Sequence, residues 1–273
     1  MNILQAAVLG LVQGITEFLP ISSTAHLRIV PAVAGWSDPG AAFTAVLQLG
    51  TLAAVIGFFL GDLARMLRAG LRALTDPAAR SDPDARHLLY LILGTIPIGI
   101  AGLLLRHAVE GVLRSLWVVA IALIVVALAL AWVERRRSAS TGRGLNAIQL
   151  RDAMIIGCAQ ALALVPGVSR SGITLLAAMA IGMRRDAAAR FSFLLSIPAV
   201  AAAGIFELPK LMKAHDIAGA PLAVGLIVAF VSGLISIAWL LKFLRTRSTL
   251  PFVIYRVMLG LLIIVMLSMG RLG

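Results

Sequence analysis

The chain has 273 residues, of which 60% are hydrophobic and 13% charged, and its mean hydropathy is +1.00. Soluble domains run near 45–50% apolar and about 25% charged, so a water-soluble globular fold is excluded. The net charge of +12 does not indicate nucleic acid, because the Lys and Arg residues sit in short connectors between apolar runs without interleaved aromatics.

The first apolar run, 3–19, has no Lys or Arg before it and no small-residue cleavage site, so it is not read as a signal peptide. It runs into Pro20 and then a second short apolar piece, 27–33. Residues 153–165 and 173–181 repeat that pattern around Pro166. A helix of this length, broken and followed by another short helix, can enter a bilayer and return to the same side. Six other runs, 43–60, 88–105, 116–133, 191–208, 222–241 and 252–269, approach the length of about 20 residues needed to cross. The expected fold is an all-α integral membrane domain over 1–273 with six transmembrane helices and two re-entrant helical hairpins.

Internal register supports a duplication. Pro20-Ile-Ser22-Ser23 aligns with Pro166-Gly167-Val-Ser169, and Phe43 with Phe191, at offsets that agree within two residues. Each repeat, 1–135 and 150–273, then holds one hairpin and three spans, and an odd number of spans inverts the second repeat relative to the first. Alternate connectors carry Arg65, Arg68, Arg72, Arg80 and Arg86; Arg135, Arg136, Arg137, Arg143 and Arg151; Arg184, Arg185 and Arg190; and Lys242, Arg245 and Arg247. The positive-inside rule makes that side cytoplasmic and turns the first hairpin outward. The connector 62–87, with Pro77 and Pro83, reads as solvated. Cys158 is the one cysteine; it rules out an intramolecular disulfide and reads as a small buried hydrophobe. Small-residue faces such as Gly94-x-x-x-Ile98 suit helix packing within a chain or between copies, which leaves a homodimer open.

The polar residues within the two broken runs are the functional candidates, since ionisable groups in lipid are costly. They lie in Gln13-Gly-Ile-Thr-Glu17-Phe-Leu-Pro20-Ile-Ser22-Ser23-Thr24-Ala-His26 and in Gln160-Ala-Leu-Ala-Leu-Val-Pro166-Gly167-Val-Ser169-Arg170-Ser171-Gly172-Ile-Thr174. Gln13 and Glu17 share a helix face. Ser22, Ser23 and Thr24 stand where a second helical piece starts, with free N–H groups and a positive dipole end suited to an anion. Arg170 supplies a phosphate-matched fork, with Ser169, Ser171 and Thr174 beside it. Glu17 would repel a phosphate unless a divalent cation such as Mg²⁺ or Ca²⁺ lies between them. His26 is placed to act as a general acid or base. A structural Glu17–Arg170 ion pair is the plainer alternative, and serine, histidine and water all stay open as nucleophile.

These two motifs resemble those of the undecaprenyl pyrophosphate phosphatases associated with bacitracin resistance, and the resemblance spans essentially the whole chain. Gln13 to Glu17 matches a Glu/Gln-x-x-x-Glu signature, and Pro166 to Gly172 matches Pro-Gly-x-Ser-Arg-Ser-Gly. The resemblance implies a Mg²⁺- or Ca²⁺-requiring hydrolase that converts undecaprenyl pyrophosphate to the monophosphate carrier of cell-wall synthesis. It also implies an inverted-repeat fold in the bacterial cytoplasmic membrane with an outward-facing site. Gln13 departs from the glutamate of many members and removes one anionic metal ligand, which shifts metal binding towards Glu17. A lipid transporter or flippase is the rival reading, because broken helices in inverted repeats also serve alternating access.

Overall fold

The computed structural model describes residues 1–38, 40–136, 142–213 and 219–271, so Arg137 of the cationic connectors and the last two residues of the second repeat lie outside the described residues. The chain is all-helical among them. Helix α1 (Ile3–Phe18) starts from a reciprocal Asn2–Gln5 capping box and ends where Leu19 turns extended before Pro20. Helix α2 (Ser23–Ala34) closes on Gly35, whose positive φ allows its N–H to reach Pro31 O.

After α3 (Gly40–Phe58) the chain bends by 75° into α4 (Leu60–Thr75). A solvated connector was expected over 62–87, and the correction has a simple cause. Residues 60–75 contain no proline and no β-branched run, and Leu60, Leu67, Leu71 and Leu74 form an exposed stripe beside Arg65, Arg68 and Arg72. Such a stripe is the pattern of a helix lying along an interface.

Helices α5 (Pro83–Leu104), a short α6 (Arg106–Glu110) and α7 (Leu116–Arg135) follow, then α8 (Leu150–Ala161), α9 (Arg170–Ala180), α10 (Arg185–Lys213), α11 (Ala220–Thr246) and α12 (Leu250–Ser268). Among the described residues five helices are long and apolar enough to cross a membrane, namely α5, α7, α10, α11 and α12, and the bent α3–α4 pair makes a sixth if counted as one span. Their outward faces are apolar. Trp117, Ile121, Val125, Leu128 and Trp132 mark α7 at helical spacing, and Leu89, Ile92, Ile96, Ile100 and Leu103 mark α5. The interior, in contrast, holds Gln13, Glu134, Asp152, Gln160 and Arg256. That distribution is reversed from a water-soluble protein and fits lipid as the surrounding solvent. Cys158 is exposed, not buried, because it lies on the outer face of α8.

The main helix pairings exchange with one another. Helix α1 packs on α11 as α8 packs on α5, and α11 packs on α3 as α5 packs on α10. Helices α3 and α10 pair directly, as do α7 and α12. Glycines permit the closest crossings. A Cβ on Gly10 would lie 2.4 Å from Gly225 O, and one on Gly157 only 2.1 Å from Gly94 O. Gly94 therefore serves packing within the chain. The main core lies around α9 and α10, where Phe18 of α1 meets Phe193 edge-to-face at 5.3 Å.

Candidate active site

Both hairpins break on a serine in the left-handed region, Ser22 at φ 74° and Ser169 at φ 70°, 147 positions apart. Among the described residues these are the only non-glycine positions with positive φ. A β-carbon there costs on the order of 1–3 kcal/mol, a strain usually retained where function needs it. Counted from these two serines, the two broken stretches correspond at an offset of 147, one residue away from the alignment of Ser23 with Ser169. In that register Gln13 corresponds to Gln160, and both are fully buried.

In the first hairpin, Gln13 Nε2 donates to Glu17 Oε2 at 2.9 Å and to Thr51 Oγ1 at 3.4 Å. Ser23 Oγ donates to the same Glu17 oxygen at 2.7 Å. Arg170 of the second hairpin donates to the other oxygen, Glu17 Oε1, in a charge-assisted pair whose two side chains are both largely buried. One carboxylate thus gathers a hydroxyl, an amide and a guanidinium from three helices. Helix pitch places Gln13 above Glu17, and the break turns Ser23 back onto them.

The other candidates take distinct places. Ser22 Oγ lies 3.3 Å from Thr24 Oγ1. Ser169 Oγ caps α9 by accepting from Gly172 N at 3.1 Å and lies 3.2 Å from Ser171 Oγ. Ser171 Oγ also donates across to Leu19 O at 3.0 Å, joining the two breaks. Thr174 turns its hydroxyl to Arg170 O at 2.7 Å and to Ser192 of α10, and it is fully buried. His26 has both ring nitrogens engaged. Nδ1 meets Ser22 O at 2.7 Å and Nε2 meets the Tyr255 hydroxyl at 2.6 Å, with the two rings nearly parallel. A carbonyl only accepts, so this network assigns the proton to Nδ1 and leaves Nε2 as acceptor for the phenol.

Sequence reasoning missed Tyr255, Arg256 and Thr51. The first two sit side by side in the run 252–269, where one arginine in an otherwise apolar span was the available signal. No group of three or more His, Cys, Asp or Glu suited to a metal occurs among the described residues. Gln13 Oε1 is nevertheless buried with no hydrogen-bond partner. An orphaned carbonyl oxygen next to a carboxylate is a fitting donor pair for a hard cation that takes its remaining ligands from phosphate and water.

Fold and site together define a multi-pass membrane protein with a polar centre between two broken helices, built from groups suited to an anion. The sequence profile of the bacitracin resistance protein BacA matches residues 6–262. The chain belongs to that family. It is 53% identical to an undecaprenyl-diphosphatase of Myxococcus xanthus, covering all of this chain and 92% of that protein. It is 47% identical to undecaprenyl-diphosphatase 2 of Streptomyces coelicolor, covering all of this chain and 97% of the relative. An undecaprenyl-diphosphatase of a Nocardioides species is 50% identical over 98% of both chains.

Proposed function

We propose that this protein hydrolyses undecaprenyl pyrophosphate to undecaprenyl phosphate and inorganic phosphate. The supporting observation is the Ser23–Glu17–Arg170 group, in which a hydroxyl suited as nucleophile and a phosphate-matched cation both bond one carboxylate suited as proton acceptor. The names of relatives that match over the full chain support the substrate.

The pyrophosphate enters where the hairpins meet, and the prenyl tail lies among the apolar helices. Arg170 turns from Glu17 to the terminal phosphate, and the N–H groups at the starts of α2 and α9 receive its oxygens. Released from Arg170, Glu17 accepts the Ser23 proton. Ser23 Oγ attacks the terminal phosphorus in line. The Oγ–P bond forms as the bridging P–O bond breaks, and undecaprenyl phosphate leaves with that electron pair. Water then attacks the phosphoserine phosphorus as the Oγ–P bond breaks, Glu17 returns its proton to Ser23 Oγ, and inorganic phosphate departs carrying both protons of the water. His26, bound to Ser22 O and Tyr255, holds the break and serves proton transfer only through the phenol. Gln13 and Glu17 would hold Mg²⁺ or Ca²⁺, which when bound neutralises phosphate charge. Positioning and charge neutralisation supply most of the rate enhancement.

The finer architecture belongs to the same reading. Six spans and two re-entrant hairpins form an inverted repeat, supported by the exchangeable helix pairings and the matched left-handed serines. Sixteen of the 24 Lys and Arg residues fall on alternate connectors, which supports a cytoplasmic-membrane orientation with the site facing outward. A transporter of the same lipid would share the repeat but has no use for a serine hydroxyl already donating to a carboxylate.

The test is acid-quench trapping with undecaprenyl pyrophosphate labelled on its terminal phosphate. Labelled phosphoserine at residue 23 is expected in the parent and absent in Ser23→Ala, whose turnover falls by about 10³-fold or more. Robust turnover by Ser23→Ala would overturn the serine route.

A further inference from the structure

Arg256 is fully buried in the middle of a bundle that faces lipid. Its hydrogen-bond partners among the described residues are all main-chain carbonyls. Nε donates to Leu123 O at 3.1 Å, Nη1 to Pro20 O at 3.0 Å, and Nη2 to Gly167 O at 2.9 Å, Val168 O at 3.0 Å and Ala122 O at 3.4 Å. Pro20 and Gly167 occupy equivalent places in the two hairpins, 147 positions apart like the left-handed serines. One side chain therefore grips both breaks and anchors them to α7. The opposing surface leaves it room, since a Cβ on Gly172 would stand 3.0 Å from Nη1.

The chemistry of a break explains why a guanidinium stands there. Each broken helix ends one half on unpaired carbonyls, a negative end, and begins the next on free N–H groups, a positive end. An anion placed between two breaks meets both signs. Arg256 takes carbonyls within both breaks, Pro20 O two residues past α1 and Gly167 O and Val168 O just ahead of α9, which leaves the remaining free N–H groups at the starts of α2 and α9 for phosphate. A lysine would keep the charge, but its three donors on one nitrogen cannot reach carbonyls spread around a planar fork.

We propose that Arg256 is the positioning residue that holds the two hairpin breaks at their working separation, so that Ser23 and Arg170 meet one phosphate. The proposal rests on the phosphatase reading for its kinetic consequence only; the clamp itself is tested separately.

Purified Arg256→Lys, Arg256→Met and Gly172→Ala proteins are compared with the parent for turnover of undecaprenyl pyrophosphate and for amide hydrogen exchange by mass spectrometry. A displacement of about 1 Å between reacting groups costs on the order of 10²-fold. Arg256→Lys is therefore expected to lower kcat at least 10-fold and Arg256→Met about 10²-fold, with KM changed less than threefold. Exchange is expected to accelerate at both 20–24 and 167–172 while α5 and α11 stay protected. Gly172→Ala, which retains the arginine but crowds both its fork at 3.0 Å and Ser169 Oγ at 3.2 Å, should show a smaller version of the same split with exchange faster at 20–24 as well as at 167–172, and guards against a Met variant that does not fold. Turnover by Arg256→Lys within threefold of the parent would overturn the proposal, as would loosening spread evenly over all helices or confined to one break. Failure of the parent to release phosphate would instead refute the phosphatase reading, with the exchange result still reporting on the clamp.

Discussion

Glu17 and Arg170 come from hairpins more than 150 positions apart in sequence and meet in a largely buried pair. Removing one partner of such a pair leaves an uncompensated charge and costs about 3–5 kcal/mol, whereas removing both costs far less. Glu17→Gln and Arg170→Met are each expected to lower thermal stability sharply, and the double variant to recover much of the loss in a double-mutant cycle. Additive losses would show that the pair is not formed in the resting protein. At this scale the sequence was largely legible. The three side chains that bond Glu17 directly, Gln13, Ser23 and Arg170, all belonged to the two motifs, where several polar residues cluster inside apolar runs. Arg256 carried the same signal but stood alone, with no second polar group at a motif spacing, and Tyr255 beside it and Thr51 carried none. Hydrogen bonding decided what spacing could not, namely that Ser23 faces Glu17 while His26 faces Tyr255.

Among the elements, the tightest constraint is the crossing of α8 on α5. A Cβ on Gly157 would lie 2.1 Å from a backbone oxygen, which cannot yield as a side chain could. Gly157→Ala is expected to cost about 1–3 kcal/mol or more through overpacking, read as a lower unfolding temperature in detergent, whereas Gly99→Ala, with open space around its Cβ position, should be neutral or mildly stabilising. A second constraint fixes the start of α8. Arg143 donates to Asp152 through both terminal nitrogens, at 2.7 and 2.9 Å, and its backbone pairs with Gly182 O and Arg184 N. Burial pushes the Asp152 carboxyl up, but the hydrogen bonds from Arg143 and the Gln149 N–H, with the charges of Arg143 and Arg151, outweigh it and hold the carboxyl below its ordinary value. A depressed carboxyl stabilises the fold fully above its unfolded value near pH 4, and that stabilisation is lost as pH falls through the lower folded value. Asp152→Asn is thus expected to cost about 1–2 kcal/mol at pH 7, allowing for the partly solvated arginine, with the gap to the parent closing as pH falls below the ordinary carboxylate range. A gap that is constant with pH would contradict this role. Helix α4 shows why some elements escape sequence reading. Its leucines were diluted by Arg65, Arg68 and Arg72, so a span-length window saw only a polar connector. Its apolar stripe emerges only at helical period.

Across the whole molecule, two broken helices and a matched set of longer helices bring two polar motifs to one place. Proline and phenylalanine register suggested a duplication, and the exchangeable helix pairings are the arrangement that the proposed repeat calls for. What sequence could not supply was the agent that joins the halves. Contacts between α12 and both breaks depend on packing across the full chain, and no local pattern encodes them. The central claim is that this joined site cleaves a lipid pyrophosphate. Its most direct test is phosphate release from undecaprenyl pyrophosphate by the detergent-purified parent, Glu17→Gln and Arg170→Met proteins, with and without Mg²⁺ or Ca²⁺. Release by the parent that requires a divalent cation and falls at least 10³-fold in both variants is expected. Binding without release by well-folded parent protein would contradict the account and favour a carrier of the same lipid.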